Sequence, residues 1–153
     1  MTSKTAAYNE LLLRATRGDE AAFTYLVLFN QYSHTIDDII DDGRDGKPMD
    51  AERVIGAFIQ GAHVHSHPFY VRHAAHLHPV MLMVANAYAD SVAWEKSDQD
   101  GPRTMADVLR CAGNEMVLAV AAICGGWAHM RSLSAELRMG SWSDHHTPAG
   151  LPI

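Results

Sequence analysis

Cysteine, clustered basic residues and uninterrupted apolar runs are all scarce in this chain of 153 residues. Its two cysteines, Cys111 and Cys124, lie 13 positions apart on what reads as one helix. That places them about 20 Å apart along the axis, beyond disulfide reach. Reduced thiols and a cytoplasmic setting are therefore expected. Twelve Lys and Arg against eighteen Asp and Glu, a net charge of −6 and no basic run exclude sequence-independent nucleic-acid binding, which needs clustered cations to displace counterions from phosphates. The longest apolar stretch, 116–127, is interrupted by Gly125-Gly126 and falls short of the roughly 20 residues that cross a bilayer. No transmembrane segment is expected. The N-terminus leads into a helical pattern rather than an apolar signal region. There is no Gly-x-Ser-x-Gly elbow, phosphate-cradling glycine loop or Cys-x-x-Cys, so nothing points to nucleophilic catalysis.

What the chain has is apolar material, 48% hydrophobic against 20% charged residues, enough for one core and too little length for two. The periodicity is helical throughout, with no alternating run and no repeat. The expectation is an all-α, single-domain bundle of about five helices over 1–153. The helices are read at 6–16, at 19–42 with Asp19 as N-cap, and from 50 to about 68. A short piece at 70–77 precedes a helix opened by Pro79 and running to 96, and the last spans 104–138, disturbed at Gly125-Gly126. The tail 140–153 is expected to be irregular.

The densest chemical feature is Asp37-Asp38-Ile39-Ile40-Asp41-Asp42, four carboxylates in six residues at the C-terminal end of an apolar helix. Like charges one turn apart repel, and that end of a helix already carries partial negative charge. A divalent cation relieves both, and oxygen donors of this kind suit Mg²⁺ or Mn²⁺. The plain alternative is a solvated acidic helix end. On a helical wheel Ala22, Leu26, Phe29, Ser33, Ile36 and Ile40 form a core stripe. A second stripe carries Phe23, Val27, Asn30, His34, Asp37 and Asp41. Asp37 and Asp41 are the expected ligands, followed by Asp38, with Asn30 and His34 beside them. Asn86 and Asp90, four apart on a later helix, are expected to supply an amide oxygen and a carboxylate to the same space. Glu95 falls on the opposite face from Asn86. Arg103, Asp107, Arg110 and Asn114 read as an exposed face, from which Arg103 or Arg110 could hold a phosphate.

The segment from Tyr32 to Asp42 resembles the first aspartate-rich motif of class I isoprenoid synthases, most closely the squalene and phytoene synthase branch. Asn86-Ala87-Tyr88-Ala89-Asp90 is similar to that family's second metal motif. The resemblance implies that Asp37, Asp38, Asp41, Asn86 and Asp90 hold Mg²⁺ and, through it, a prenyl diphosphate, with a homodimer completing a bundle longer than this chain. Asp38-x-x-Asp41 and Asn86-x-x-x-Asp90 also resemble the paired acidic motifs of all-α nucleoside-triphosphate pyrophosphatases, which oligomerise. Either family implies Mg²⁺-dependent chemistry on a diphosphate, by departure of pyrophosphate or by attack of water on phosphorus.

Six histidines, His63, His65, His67, His73, His76 and His78, fall within 16 residues. His63 with His67 and His73 with His76 have the spacing of one helix face, and such pairs can ligate Zn²⁺ or Fe²⁺. The competing reading is a run of neutral, partly buried rings. Met81, Met83, Met105, Met116 and Met130 read as core filler. The functional expectation is Mg²⁺-dependent binding or turnover of a diphosphate-bearing small molecule by a homo-oligomer. Its rivals are a non-catalytic helical protein that binds a protein partner through its acidic surface, and a His and carboxylate transition-metal protein.

Overall fold

The structure, a computed structural model, describes residues 3–146 and the side chains of residues 6–140. It is all-α, with six helices and one short 3-10 turn among the described residues. Helix α1 (Ser3–Thr16) ends where Thr16 turns its hydroxyl back onto the Leu12 carbonyl at 3.1 Å. Arg17 and Gly18 then take positive φ, and Asp19 caps α2 (Glu20–Arg44) by accepting from the Ala22 N–H at 2.9 Å. Asp50 does the same for α3 (Ala51–Ser66). Both caps satisfy donors that a helix start leaves without partners.

One long helix, α4 (Pro68–Trp94), replaces the expected short piece and separate Pro79 helix. Pro68 takes the first-turn position, where a missing N–H costs nothing, and Pro79 lies inside the helix. The backbone leaves helical geometry at His73, φ −113° and ψ 18°, six residues before that proline. The expected last helix is divided as well. α5 (Asp100–Arg110) gives way to the 3-10 turn at Cys111–Gly113, and α6 (Asn114–His146) follows. Both cysteines are free, as expected, although Cys111 lies in that turn and not on a helix shared with Cys124. The helix also continues through 141–146, which were expected to be irregular; 147–153 lie outside the described residues.

The core centres on Tyr25. Its ring lies 5.7 Å from that of Phe69, 6.0 Å from Tyr70 and 6.5 Å from Phe29, and Leu12, Leu26, Leu77, Met116 and Val120 close around them. The pairs Asp37 with Tyr88 and Arg44 with Glu95 are both 51 residues apart. α2 and α4 therefore run parallel in one register, with α3 as the return segment.

A stretch within 100–140 is long and apolar enough, by length and composition alone, to cross a membrane. In the bundle its Met116, Val117, Leu118, Val120 and Ala121 are core, and the backbone breaks at Gly126. There φ is 76° and ψ −177°, a conformation essentially confined to glycine. The break turns the second half of α6 onto α1, where His129 Nε2 lies 3.1 Å from the Ala15 carbonyl oxygen and Leu133 and Leu137 are buried. Gly126→Ala should cost about 1–3 kcal/mol of stability, lowering Tm by roughly 2–12 °C at this chain length. A thermal melt unchanged by that substitution would refute the assigned strain.

Candidate functional site

The sequence places the chemistry at the end of α2, and the structure builds a polar cluster there from three helices. The stripe of α4 that carries Leu77, Val80 and Val84 into the core continues as Tyr88, Ser91 and Glu95. Tyr88 donates its hydroxyl to Asp37 Oδ1 at 2.5 Å. Burial first, and that hydrogen bond second, push the Tyr88 hydroxyl well above the ordinary phenol range, so it remains a donor. Asp41 and Arg110 lie close enough to act on the same hydroxyl electrostatically.

One turn beyond, Arg44 holds Asp41 at 2.8 Å and also grips Glu95, and Arg110 reaches Glu95 from α5 at 2.9 Å. Glu95 is the most enclosed of this set, its side chain 16% exposed. Three carboxylates (Asp37, Asp41, Glu95) thus face two guanidiniums and one phenol at the common end of α2, α4 and α5. The Nε–H of Arg44 is buried with no acceptor. Asp42 points elsewhere, to Lys47 at 2.6 Å and Arg53 at 2.5 Å. The Lys47 hydrogen bond does most to hold the Asp42 carboxyl below the usual carboxylate range.

Asn86 and Asp90 stand two residues from Tyr88, one on each side, and at 100° per residue both point about 200° away from it. They bond each other at 3.4 Å, Asn86 exposed and Asp90 half-buried. The expectation that they share a space with Asp37 and Asp41 is corrected accordingly. Glu95, seven residues after Tyr88 and so on its face, takes that place. Asp38 and His34 are exposed, and Asn30 is half-buried. The Arg103 to Asn114 face is not the uniform exposed surface expected. Arg103 and Arg110 share a face of α5 but sit at its two ends, Arg103 outside on Asp100 and Arg110 on Glu95, and beyond the 3-10 turn at Cys111–Gly113 Asn114 is buried. Met83 and Met105, expected as core filler, are exposed, as is Trp127 directly after the break at Gly126.

The histidines scatter. His63 and His65 are exposed on α3, which ends before His67. His67 accepts from the Phe69 N–H as the cap of α4, and burial lowers its pKa. His73 lies at the break in α4, its ring 4.7 Å from Phe69. His78 bonds the Tyr70 hydroxyl at 3.0 Å. His76 lines a shallow groove with Ala119, Ala122 and Ile123, about 18 Å along α4 from Tyr88. Among the described residues no three His, Cys, Asp or Glu side chains are grouped closely enough to hold a metal ion. Glu95 and Arg44 are what the sequence reading missed as partners; their signal was the shared register of two parallel helices, which a wheel drawn for one helix does not display. Neither family models, curated proteins nor solved structures match this chain.

Proposed function

We propose that the chain binds a diphosphate-bearing small molecule together with Mg²⁺ or Mn²⁺ where α2, α4 and α5 meet. One or two carboxylates of Asp37, Asp41 and Glu95 would take the cation, with water and phosphate filling its other positions, and Arg44 and Arg110 would take the phosphates. The observation that carries this reading is the buried Arg44 Nε–H, a guanidinium donor without an acceptor in a cluster that already holds more carboxylates than cations. Such a donor favours an anion, and an anion entering beside three carboxylates needs a cation with it. Hard oxygen donors fit Mg²⁺, which uses one or two carboxylates and leaves its other positions to water and phosphate. The internal ion pairs exchange partners, and the total charge of the cluster changes little.

This reading makes the two ligands mutually dependent. Mg²⁺ alone and pyrophosphate alone should each leave Tm nearly unchanged. Together, at about a hundred times the joint dissociation constant, they should stabilise by roughly 2.7 kcal/mol, or about 5–11 °C. Asp37→Ala/Asp41→Ala should remove the joint shift. Equal shifts from either ligand alone, or none from the pair, would defeat the reading. A second reading, a helical interaction protein with no catalytic role, is favoured by the apolar side chains that α3 turns outward.

A further inference from the structure

Helix α3 is apolar on the wrong side for a solitary bundle. Its inner face buries one sizeable apolar side chain, Val64; beside it Ala57 is buried, Gln60 is half-buried, and a Cβ on Gly61 would sit 3.3 Å from the Tyr32 ring. Its outer face carries Phe58 at 81% exposure, Ile55 at 60%, Ile59 at 49% and Val54 at 40%. With Ala51 and Ala62 these fill an arc of about 140° at helical spacing. His65 and Ser66 enter the arc at its C-terminal end, and no Asp, Glu, Lys or Arg falls within it. The four large side chains leave roughly 400 Å² of apolar surface open, the size of the largest patch on a typical soluble protein, which is often a functional surface.

The order of residues in this stripe identifies the occupant. Positions 51, 54, 55, 58, 59 and 62 are spaced symmetrically about a point between Gly56 and Ala57. Reversing the helix places Ala51 on Ala62, Val54 on Ile59 and Ile55 on Phe58, small on small and large on large. We propose that α3 pairs with α3 of a second copy of this chain, antiparallel, about a two-fold axis through that point. A two-fold interface must be self-complementary in this way, and spacings alternating between three and one give the seam that packs side by side along a helix pair.

The edges agree with the same geometry. On one side of the seam Glu52 comes beside the partner's His63, and on the other Asp50 comes beside the partner's His65. Each pair lies within about 3 Å of level along the axis. Doubling the apolar patch and adding these edges and the alanines covers roughly 1,000–1,200 Å², enough for a specific interface but below the standard size, the range of a weak, reversible dimer. The pairing does not depend on the diphosphate reading, because α3 contributes no residue to that cluster.

Sedimentation equilibrium of the full chain tests it. The wild type should reach twice its 16.8 kDa mass with a dissociation constant in the micromolar range. Ile55→Asp/Phe58→Asp should remain at the single mass, with helical circular dichroism unchanged because both side chains already face water. An Ala51→Cys/Ala62→Cys double variant should cross-link into a covalent dimer on oxidation, with either single variant cross-linking far less. A wild type that stays monomeric at about a hundred micromolar, a variant that still dimerises, or equal cross-linking by the single variants would overturn the proposal. So would a monomeric wild type that floats with phosphatidylcholine vesicles in a Phe58-dependent way.

Discussion

Replacing Tyr25 with alanine is expected to remove about 3–5 kcal/mol of stability, the range for truncating a buried aromatic. Three neighbouring rings and the Met116 side chain lose their shared contact at once. At this chain length the loss lowers Tm by roughly 6–20 °C and takes a large part of a typical domain's total stability. Tyr25→Phe separates packing from polarity. The hydroxyl donates to the Met116 sulfur at 3.4 Å, and thioether sulfur is a weak acceptor. Burial, the main influence, pushes that hydroxyl far above the ordinary phenol range, so it stays neutral at any working pH. Tyr25→Phe should therefore cost less than about 1 kcal/mol, measured as the urea midpoint at constant m-value. Equal losses from the two variants would mean that the hydroxyl, and not the ring cluster, holds the centre of the bundle.

Tyr25 also marks how far the sequence could be read. The stripe Ala22, Leu26 and Phe29 is apolar and its burial is legible from periodicity alone. Tyr25, one residue beside it, is buried because α4 brings Phe69 and Tyr70 against it, a contact that one helix cannot announce. The first three helices were legible almost to their ends because Asp19 and Asp50 are strong caps and Gly18 and Gly46 mark the intervening turns. α4 was misread because proline was given only its first-turn role, whereas Pro79 is tolerated inside a helix whose geometry breaks at His73. The 3-10 turn at Cys111–Gly113 has one glycine and no proline, too little punctuation to be seen in advance. Beyond it Asn114 is buried, where a continuous helix would set it on the exposed face.

The candidate site divides along the same line. That Asp37 and Asp41 are set apart from Asp38 was legible from one helix. Their meeting with Tyr88 and Glu95, and not with Asn86 and Asp90, depends on which stripe of α4 turns towards α2. Leu77, Val80 and Val84 fix that stripe by burial, and Tyr88 and Glu95 follow in phase with them.

Glu95→Ala should accordingly be the costliest substitution at the polar end of the bundle. It leaves Arg44 and Arg110, 28% and 25% exposed, facing one another without the carboxylate between them. Removing one member of an enclosed ion cluster costs 3–5 kcal/mol when burial is complete. Partial access of water reduces this to about 2–3 kcal/mol. Glu95→Gln keeps the shape and an acceptor oxygen while losing the charge, and should fall between Ala and wild type. The decisive comparison is Glu95→Leu/Arg44→Met/Arg110→Met, which removes the charges together. Well-packed apolar replacements of a buried ion cluster are often neutral or stabilising, so this triple variant should regain most of what Glu95→Ala loses. If Glu95→Ala costs nothing in urea, the cluster is a solvated surface feature. If the triple variant is less stable than the single one, the arginines contribute through contacts other than Glu95. Recovery of stability without recovery of the joint Mg²⁺ and pyrophosphate shift would separate the role of these residues in folding from their role in binding.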